Sequence, residues 1–261
     1  AEFPAQIYEP PLQYHFLKRP YELIPLTAES VPHARYYDAT GRRLPDDAPS
    51  ADIAESVYEI RIRPGIRYQP HPAFARDAAG RYRYHALREE DLADKRRIAD
   101  FPHAGTRELV AADYVYQIKR LADPRISSPI FGLMSEHIVG LRELGKTLEQ
   151  ALQAQPGRTL DLGAFALSGA EAVDRYTYRV RIKGKYPQFL YWLAMPFFAP
   201  VPWEAEVFYA QPGMTDRNLT LDWQPVGTGP FYLAGNDPNR RMVLKRNPHF
   251  HSETYPAEGD A

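Results

Sequence analysis

Proline is the feature of this 261-residue sequence that most limits how it folds. The chain holds 25 prolines, and each of them restricts its own φ angle and lacks a backbone hydrogen-bond donor. Long uninterrupted helices are therefore not expected. Short helices, extended segments and many turns remain, and the hydrophobic content of 44% is enough to build a core around them.

The charge balance and the absence of cysteine exclude several classes of function. Thirty-two basic residues oppose 33 acidic ones, so no global field draws the chain to nucleic acid or to an anionic membrane, and only local patches remain. With no cysteine in the sequence, disulfides, thiolate metal sites and cysteine nucleophiles are excluded. The length allows one large domain or two modest ones.

Two segments have the alternation that is typical of half-buried strands. In residues 57–68, "VYEIRIRPGIRY", Tyr58, Ile60 and Ile62 alternate with charged side chains, and Pro64-Gly65 ends the pattern. In the second segment one face holds Tyr176, Tyr178, Val180 and Ile182. Near the end of the sequence, residues 227–250 predict a strand, a "GNDPN" turn and another strand.

Helical spacing begins at Ala111 and stops at Asp123-Pro124, which predicts a helix between them. A second helix is expected from Gly140 to Gln155, and a short aromatic helix over about residues 188–193. Residues 75–105 are strongly charged and predict a solvated insertion. Strands and helices without strict alternation indicate an α+β fold, a mixed sheet with flanking helices.

The segment "PVGTGPFYL", residues 225–233, has three possible interpretations: a phosphate-binding loop, a structural turn or a hinge. A phosphate loop needs a helix after its glycines and a following lysine. Here Pro230 and an extended segment follow instead. We therefore interpret Gly227, Thr228 and Gly229 as a structural turn, in which the glycines provide an unusual φ or close packing and the threonine ties the turn.

Residues that could carry chemistry do not form a convincing constellation. His249 and His251 share one side of an extended segment, but a metal site needs at least a third ligand. The acidic pairs at 46–47 and 89–90 lie in polar stretches. These stretches lack the apolar pocket that would push the pKa values of two neighbouring carboxylates apart. No serine elbow of the form G-x-S-x-G occurs. The residues predict no catalytic group, no metal, no cofactor and no enzyme.

Several short segments occur in an order and at a spacing similar to those of one known family. They are "IYEPPLQY", "LTAES", "YEIRIRPGIRY", "LVAADYVYQIKRLADPRISSPIFG", "YPQFLYWLAMPFFAPVP", and "PVGTGPFYL" followed by "VLKRNPHF". Together they resemble the family 5 extracellular solute-binding proteins, the oligopeptide- and dipeptide-binding receptors of ABC importers. The resemblance extends over nearly the whole chain.

The chain departs from the family pattern at three points. Val110 stands where a hydroxyl N-cap is common, so the helix start must be capped otherwise. His251 stands where an aromatic residue often follows the "NP-x-F" segment. The chain also resembles only the N-terminal part of such receptors. We therefore expect residues 1–261 to form part of the first lobe, with the charged insertion at about 75–105 and with the second lobe absent.

The resemblance implies a receptor that closes over a peptide or another small solute and delivers it to an ABC permease in the inner membrane. It implies a monomer in the periplasm, with the signal peptide absent from this chain, no cofactor and no nucleic-acid partner. The ligand-facing positions that it implies are Phe3, Gln6, Phe131, Met134, Phe197 and Phe198. Two alternatives remain, a histidine-dependent metallohydrolase and a non-catalytic carbohydrate-binding module that uses exposed aromatics.

Overall fold

A computed structural model of the chain describes residues 2–155, 157, 159–237, 240–257 and 259. The α-helices are α1 (Glu2–Ile7), α2 (Ala111–Arg120), α3 (Phe131–His137), α4 (Leu141–Ala154), α5 (Phe189–Trp192) and α6 (Trp203–Tyr209). The strands are β1 (Leu12–Tyr14), β2 (Leu23–Pro25), β3 (Ala34–Tyr37), β4 (Glu55–Arg61), β5 (Ala170–Ala172), β6 (Thr177–Lys183), β7 (Phe231–Asp237) and β8 (Arg241–Arg246).

The chain divides into two units, each assembled from separate stretches of sequence. Unit 1 contains Ala1–Glu9, Pro64–Leu109 and Pro200–Tyr255. Unit 2 contains Pro10–Arg63, Val110–Ala199 and Pro256–Ala261. The assignment of residues 1–261 to part of one lobe stays a prediction.

The sheet of unit 2 has the strand order β3-β4-β6-β5 and antiparallel pairing throughout. The two central strands, β4 and β6, are those whose alternation the sequence predicts, and the pattern is confirmed. Their inner face places Tyr58 opposite Val180 and Ile60 opposite Tyr178, and all four side chains are buried. Burial of these apolar groups is the main stabilising contribution of the sheet.

Helix α2 packs against this sheet and confirms the first predicted helix. The rings of Tyr114 and Tyr178 stack with centroids 4.9 Å apart. The helix begins without a hydroxyl cap, because Val110 has no polar side chain. The carboxylate of Asp113 instead accepts the Val110 N–H at 3.1 Å, and the Ala111 N–H donates to the Arg175 carbonyl. The helix start is therefore satisfied by other groups, as the departure at Val110 requires.

The second predicted helix is confirmed as α4 and the short aromatic helix as α5, but α1, α3 and α6 were not predicted. Helix α3 contains Phe131 and Met134, two of the ligand-facing positions that the resemblance implies. These helices have six or seven residues, too few for the apolar spacing of a helix to recur. Their positions depend on tertiary packing, as the buried Met134 of α3 and Phe208 of α6 show.

The core of unit 1 includes a buried histidine. His71 is 1% exposed, and its Nδ1 accepts the Ala73 N–H at 3.1 Å. The proton therefore lies on Nε2, which donates to the Tyr209 hydroxyl at 3.0 Å, and that hydroxyl donates to the Gln224 carbonyl at 2.7 Å. Burial lowers the pKa of His71 to about 3, so the ring is neutral at physiological pH.

The charged segment 75–105 is attached to unit 1 by a few buried groups. Most of its charged side chains are exposed, whereas Leu92 and Phe101 are buried. Just beyond it, Arg107 forms two hydrogen bonds of 2.6 Å with the buried carboxylate of Glu204, which also accepts the Tyr82 hydroxyl at 2.9 Å. Such bidentate pairs are geometrically specific, so the segment is held in place against α6.

The α+β class is confirmed, with antiparallel pairing in the sheets of the described residues. The predicted C-terminal hairpin is present as β7 and β8, although residues 238 and 239 of its turn lie outside the described residues. Within the described part of the chain, no helix is both long enough and apolar enough to span a bilayer.

Substitution of Asp113 tests the cap of α2. Asp113→Ala removes the acceptor for the Val110 N–H and should lower the free energy of unfolding by ~1 kcal/mol, measured by urea denaturation. Glu143→Ala, an exposed acidic position in the first turn of α4, is the control and should change it by less than ~0.5 kcal/mol. Equal effects of the two substitutions would contradict the capping role.

His71 should make the protein sensitive to acid. The folded pKa of about 3 lies below the ordinary value of 6.5, so below pH 6.5 the unfolded state binds more protons than the folded one. The free energy of unfolding should then fall by up to ~1.4 kcal/mol per pH unit between pH 6.5 and 3. Urea denaturation at several pH values should show a shallower slope for His71→Gln, and the native slope for the exposed control His103→Gln.

Candidate ligand-binding site

In unit 1, the segment that carries two of the predicted ligand-binding residues lies against the Gly-Thr-Gly loop, residues 227–229. The Gly229 N–H donates to the Ile7 carbonyl at 2.8 Å. A Cβ on Gly227 would lie 2.0 Å from the same carbonyl oxygen, and one on Gly229 would lie 2.6 Å from the Gln6 carbonyl oxygen. Neither glycine has a positive φ, so close approach is the reason for glycine at both positions.

A buried carboxylate ties this loop to both neighbouring segments. Glu9 is 2% exposed and Thr228 is fully buried. The Thr228 hydroxyl donates to Glu9 Oε2 at 2.7 Å, while Nε2 of His251 lies 2.8 Å from Glu9 Oε1. Because a buried carboxylate is costly unless it is hydrogen-bonded, these contacts hold three separate stretches of chain together.

This framework supports the short helix α1, which presents Phe3 and Gln6. Phe3 is 51% exposed, and Gln6 is also exposed. The backbone behind them is fixed by the bonds at Ile7 and Glu9. Unit 1 thus offers an aromatic ring and an amide on a rigid support, a combination suited to contact a polar ligand with an apolar part.

In unit 2, the loop that follows α2 is folded around a second buried carboxylate. Asp123 is 2% exposed and accepts the Arg125 N–H at 3.0 Å. The Arg125 guanidinium also binds both carboxylate oxygens, at distances between 2.5 and 3.1 Å. The Ile126 N–H donates to the Asp123 carbonyl. The start of the loop is therefore held by hydrogen bonds within the loop itself.

Phe131 follows this loop as the first residue of α3 and lines a cavity of about 390 Å³ in unit 2, here called the Phe131 cavity. Its ring lies on Gly145 of α4, where an added Cβ would come within 2.6 Å of the ring Cζ. Arg142 and Lys146 line the same cavity. A volume of this order is sufficient for a small ligand or one side chain of a larger one.

The other predicted residues of unit 2 lie partly in the core. Met134 is fully buried, on the same helix as Phe131. Phe198 is 2% exposed and packs edge-on against Phe189 with centroids 5.7 Å apart. Phe197 is half-buried, and its carbonyl accepts the side-chain amide of Gln117 at 2.9 Å. Phe131 and Phe197 thus reach the surface of unit 2, and the two buried residues support them.

The ring of His251 has a carboxylate partner, since its Nε2 lies 2.8 Å from Glu9 Oε1. The backbone N–H of His249 donates to Asn247 Oδ1 at 3.0 Å. Among the residues that the structure describes, no three His, Asp or Glu side chains are grouped so that they could hold a metal ion. This part of the chain offers no support for a histidine-dependent metallohydrolase.

Sequence reasoning missed the residues that hold these surfaces in place. Glu9 and Thr228 are 219 residues apart, and no local pattern connects them. Gly145 lies within an amphipathic helix where its contact with Phe131 has no sequence signal. A local sequence signal does exist at Asp123, since an aspartate at a helix end can accept a hydrogen bond from the backbone N–H two residues later.

Comparison with known proteins defines the class. The model of the bacterial extracellular solute-binding proteins, family 5 Middle, matches residues 103–259. The match covers more than half of the 261 residues, and the chain belongs to this family.

Among similar proteins, the periplasmic oligopeptide-binding protein OppA of Salmonella typhimurium is 24% identical over 212 residues, which cover 78% of this chain and 33% of OppA. The fold is shared with the substrate-binding domain of an oligopeptide ABC transporter from Bacillus anthracis, with a TM-score of 0.53, 17% identity, and coverage of 95% of this chain and 33% of that one. The periplasmic binding protein DppA from Helicobacter pylori, solved with the peptide STSA, shares the fold with a TM-score of 0.53 and 18% identity. That match covers 96% of this chain and 35% of DppA. The chain spans about a third of the length of these relatives, which are binding proteins.

Gly227→Ala should disrupt the support of α1. The new methyl group would meet the Ile7 carbonyl oxygen at 2.0 Å, and such overpacking typically lowers the free energy of unfolding by ~1–3 kcal/mol. Urea denaturation measures the loss, and hydrogen exchange at residues 2–9 should become faster. Gly235→Ala, whose nearest neighbour lies at 3.8 Å, is the control. If exchange in α1 stays as slow as in the control, the loop does not support the helix.

Proposed function

We propose that this chain is part of the solute-binding component of an ABC transporter, which captures an oligopeptide and delivers it to a membrane permease. The observation that supports this most strongly is the family match over residues 103–259. The relatives that carry peptide-binding names are about three times as long as this chain. The activity of the whole protein is therefore inferred from the family and from the surfaces of the two units.

The surfaces of the two units are suited to binding without chemistry. The α1 segment offers Phe3 and Gln6, and unit 2 offers Phe131 and Phe197. Met134 and Phe198 are buried, so in this proposal they position their neighbours. Aromatic rings contact the apolar parts of a peptide, and amide and cationic groups bind its polar parts. The Phe131 cavity is lined by the cations Arg142 and Lys146 and by the acidic Glu149, so charged groups of both signs are available to the polar parts of a peptide.

Transport requires that the protein distinguish the loaded state from the empty one. In the proposed mechanism a second lobe, supplied outside residues 1–261, closes over the peptide. The ligand favours the closed state because it contacts both lobes only there. The partners are then a peptide or another small solute and a permease in the inner membrane, and the protein acts as a monomer in the periplasm without a cofactor.

Calorimetric titration tests the proposal. The complete protein encoded by the gene that contains this chain, titrated with a mixture of short peptides, should bind with a Kd of about 1 μM or below. The 261-residue chain alone should bind at least ~100-fold more weakly, because the opposing surface that would desolvate the ligand is missing. Oligosaccharide binding without peptide binding would support the carbohydrate-binding alternative instead. Submicromolar peptide binding by the chain alone would contradict the two-lobe mechanism.

Phe131→Ala examines the Phe131 cavity within the complete protein. Loss of the ring should weaken peptide binding about tenfold, because aromatic anchors contribute a large share of binding energy. Tyr255→Ala, a change at a ring that is 63% exposed in unit 1, is the matched control and should leave the affinity unchanged. Equal affinities for both variants would remove Phe131 from the proposed site.

A further inference from the structure

The loop between β1 and β2, residues 15–22 with the sequence "HFLKRPYE", exposes large apolar side chains. Phe16 and Tyr21 are each 66% exposed, and Leu17 is 37% exposed. Single exposed apolar residues are ordinary, but contiguous ones mark contact surfaces. This loop has three within six residues, and it is named here the β1–β2 loop.

A short row of tyrosines extends the exposed apolar surface beyond the loop. Tyr14 meets the ring of Tyr21 edge-on, with centroids 5.7 Å apart. On its other side it lies nearly parallel to Tyr191, at 6.5 Å and 19°, and Tyr191 is itself 49% exposed. The loop and the neighbouring helix α5 therefore share one aromatic surface within unit 2.

The backbone of the β1–β2 loop is ordered by its own hydrogen bonds. The His15 N–H donates to the Glu22 carbonyl at 2.7 Å. The Nδ1 atom of His15 accepts the N–H groups of Leu17 at 3.2 Å and Lys18 at 3.1 Å. These bonds satisfy three backbone donors of the loop, which lowers the cost of moving those groups into a medium poor in water.

Two cations accompany the apolar side chains. The Arg19 guanidinium lies 4.3 Å from the centroid of the Tyr21 ring, and its Nη1 donates to the Lys18 carbonyl at 2.7 Å. Lys18 binds Glu22 at 2.9 Å, at the base of the loop. Aromatic and aliphatic side chains next to Lys and Arg are the composition of segments that lie at a membrane interface, where the cations meet anionic headgroups.

We propose that the β1–β2 loop is a membrane-contact site that inserts Phe16 and Tyr21 into the interface of an anionic lipid bilayer, with Lys18 and Arg19 at the level of the headgroups. The exposed rings of Phe16 and Tyr21 stand next to two cations, a charge pattern that is complementary to an anionic lipid surface. Gly259 lies against Leu17, so the proposal depends on Phe16 and Tyr21 rather than on Leu17. This contact is separate from ligand capture, and it would keep the protein close to a membrane.

Vesicle sedimentation tests the proposal. The 261-residue chain is mixed with vesicles of phosphatidylcholine alone, or of equal parts phosphatidylcholine and phosphatidylglycerol, at about 0.1 M salt. The chain should sediment with the anionic vesicles, and less so as the salt concentration rises. The double variant Phe16→Ser, Tyr21→Ser should bind these vesicles at least about tenfold more weakly than the native chain.

The double variant Trp223→Ser, Tyr255→Ser is the matched control, since it removes two exposed rings from unit 1, and it should bind like the native chain. Circular dichroism melting checks that both variants fold. As a second readout, Phe16→Trp should gain fluorescence that brominated lipids quench. The proposal is overturned if native chain stays in the supernatant with anionic vesicles, if the two double variants bind equally, or if the new tryptophan is not quenched.

Discussion

The pairing of β4 with β6 is the interaction on which the rest of unit 2 depends. Seven residues of each strand are in register, from Glu55 opposite Lys183 to Arg61 opposite Thr177. The edge strands β3 and β5 attach to the two sides of this pair, and α2 covers its inner face through the Tyr114–Tyr178 stack. Pairing strands that are so distant in sequence costs loop-closure entropy, and burial of the inner face offsets that cost.

The outer face of the same pair shows how the register is selected. Arg179 lies opposite Glu59 and binds it at 2.7 Å, and Arg181 binds Glu55 at 2.5 Å. The hydrogen bond from Arg179 is the main reason that the pKa of Glu59 is lowered. Partly exposed pairs contribute little to stability. A one-residue slip, however, would bring arginines to the inner face, so these residues specify the register more than they strengthen the sheet.

In unit 1, segments that are distant in sequence are held together by close backbone contacts and one buried carboxylate. Gly227 and Gly229 allow the Ile7 carbonyl to approach the chain closely, and Glu9 receives Thr228 and His251 from two other segments. The departure of His251 from the family pattern is explained by this bond to Glu9. Through Glu9, the histidine contacts the segment that follows α1.

The sequence alone determined the elements whose pattern is local. Alternation around Tyr58 and Tyr178 and helical spacing after Ala111 are set by the geometry of a few consecutive residues, so they can be read without the fold. The tertiary structure alone decided which side chains meet. The Glu9–His251 contact spans 242 residues. Packing within each unit likewise decides that Met134 and Phe198 are buried and that Phe3 is exposed. Such contacts depend on the path of the whole chain, which no local periodicity encodes.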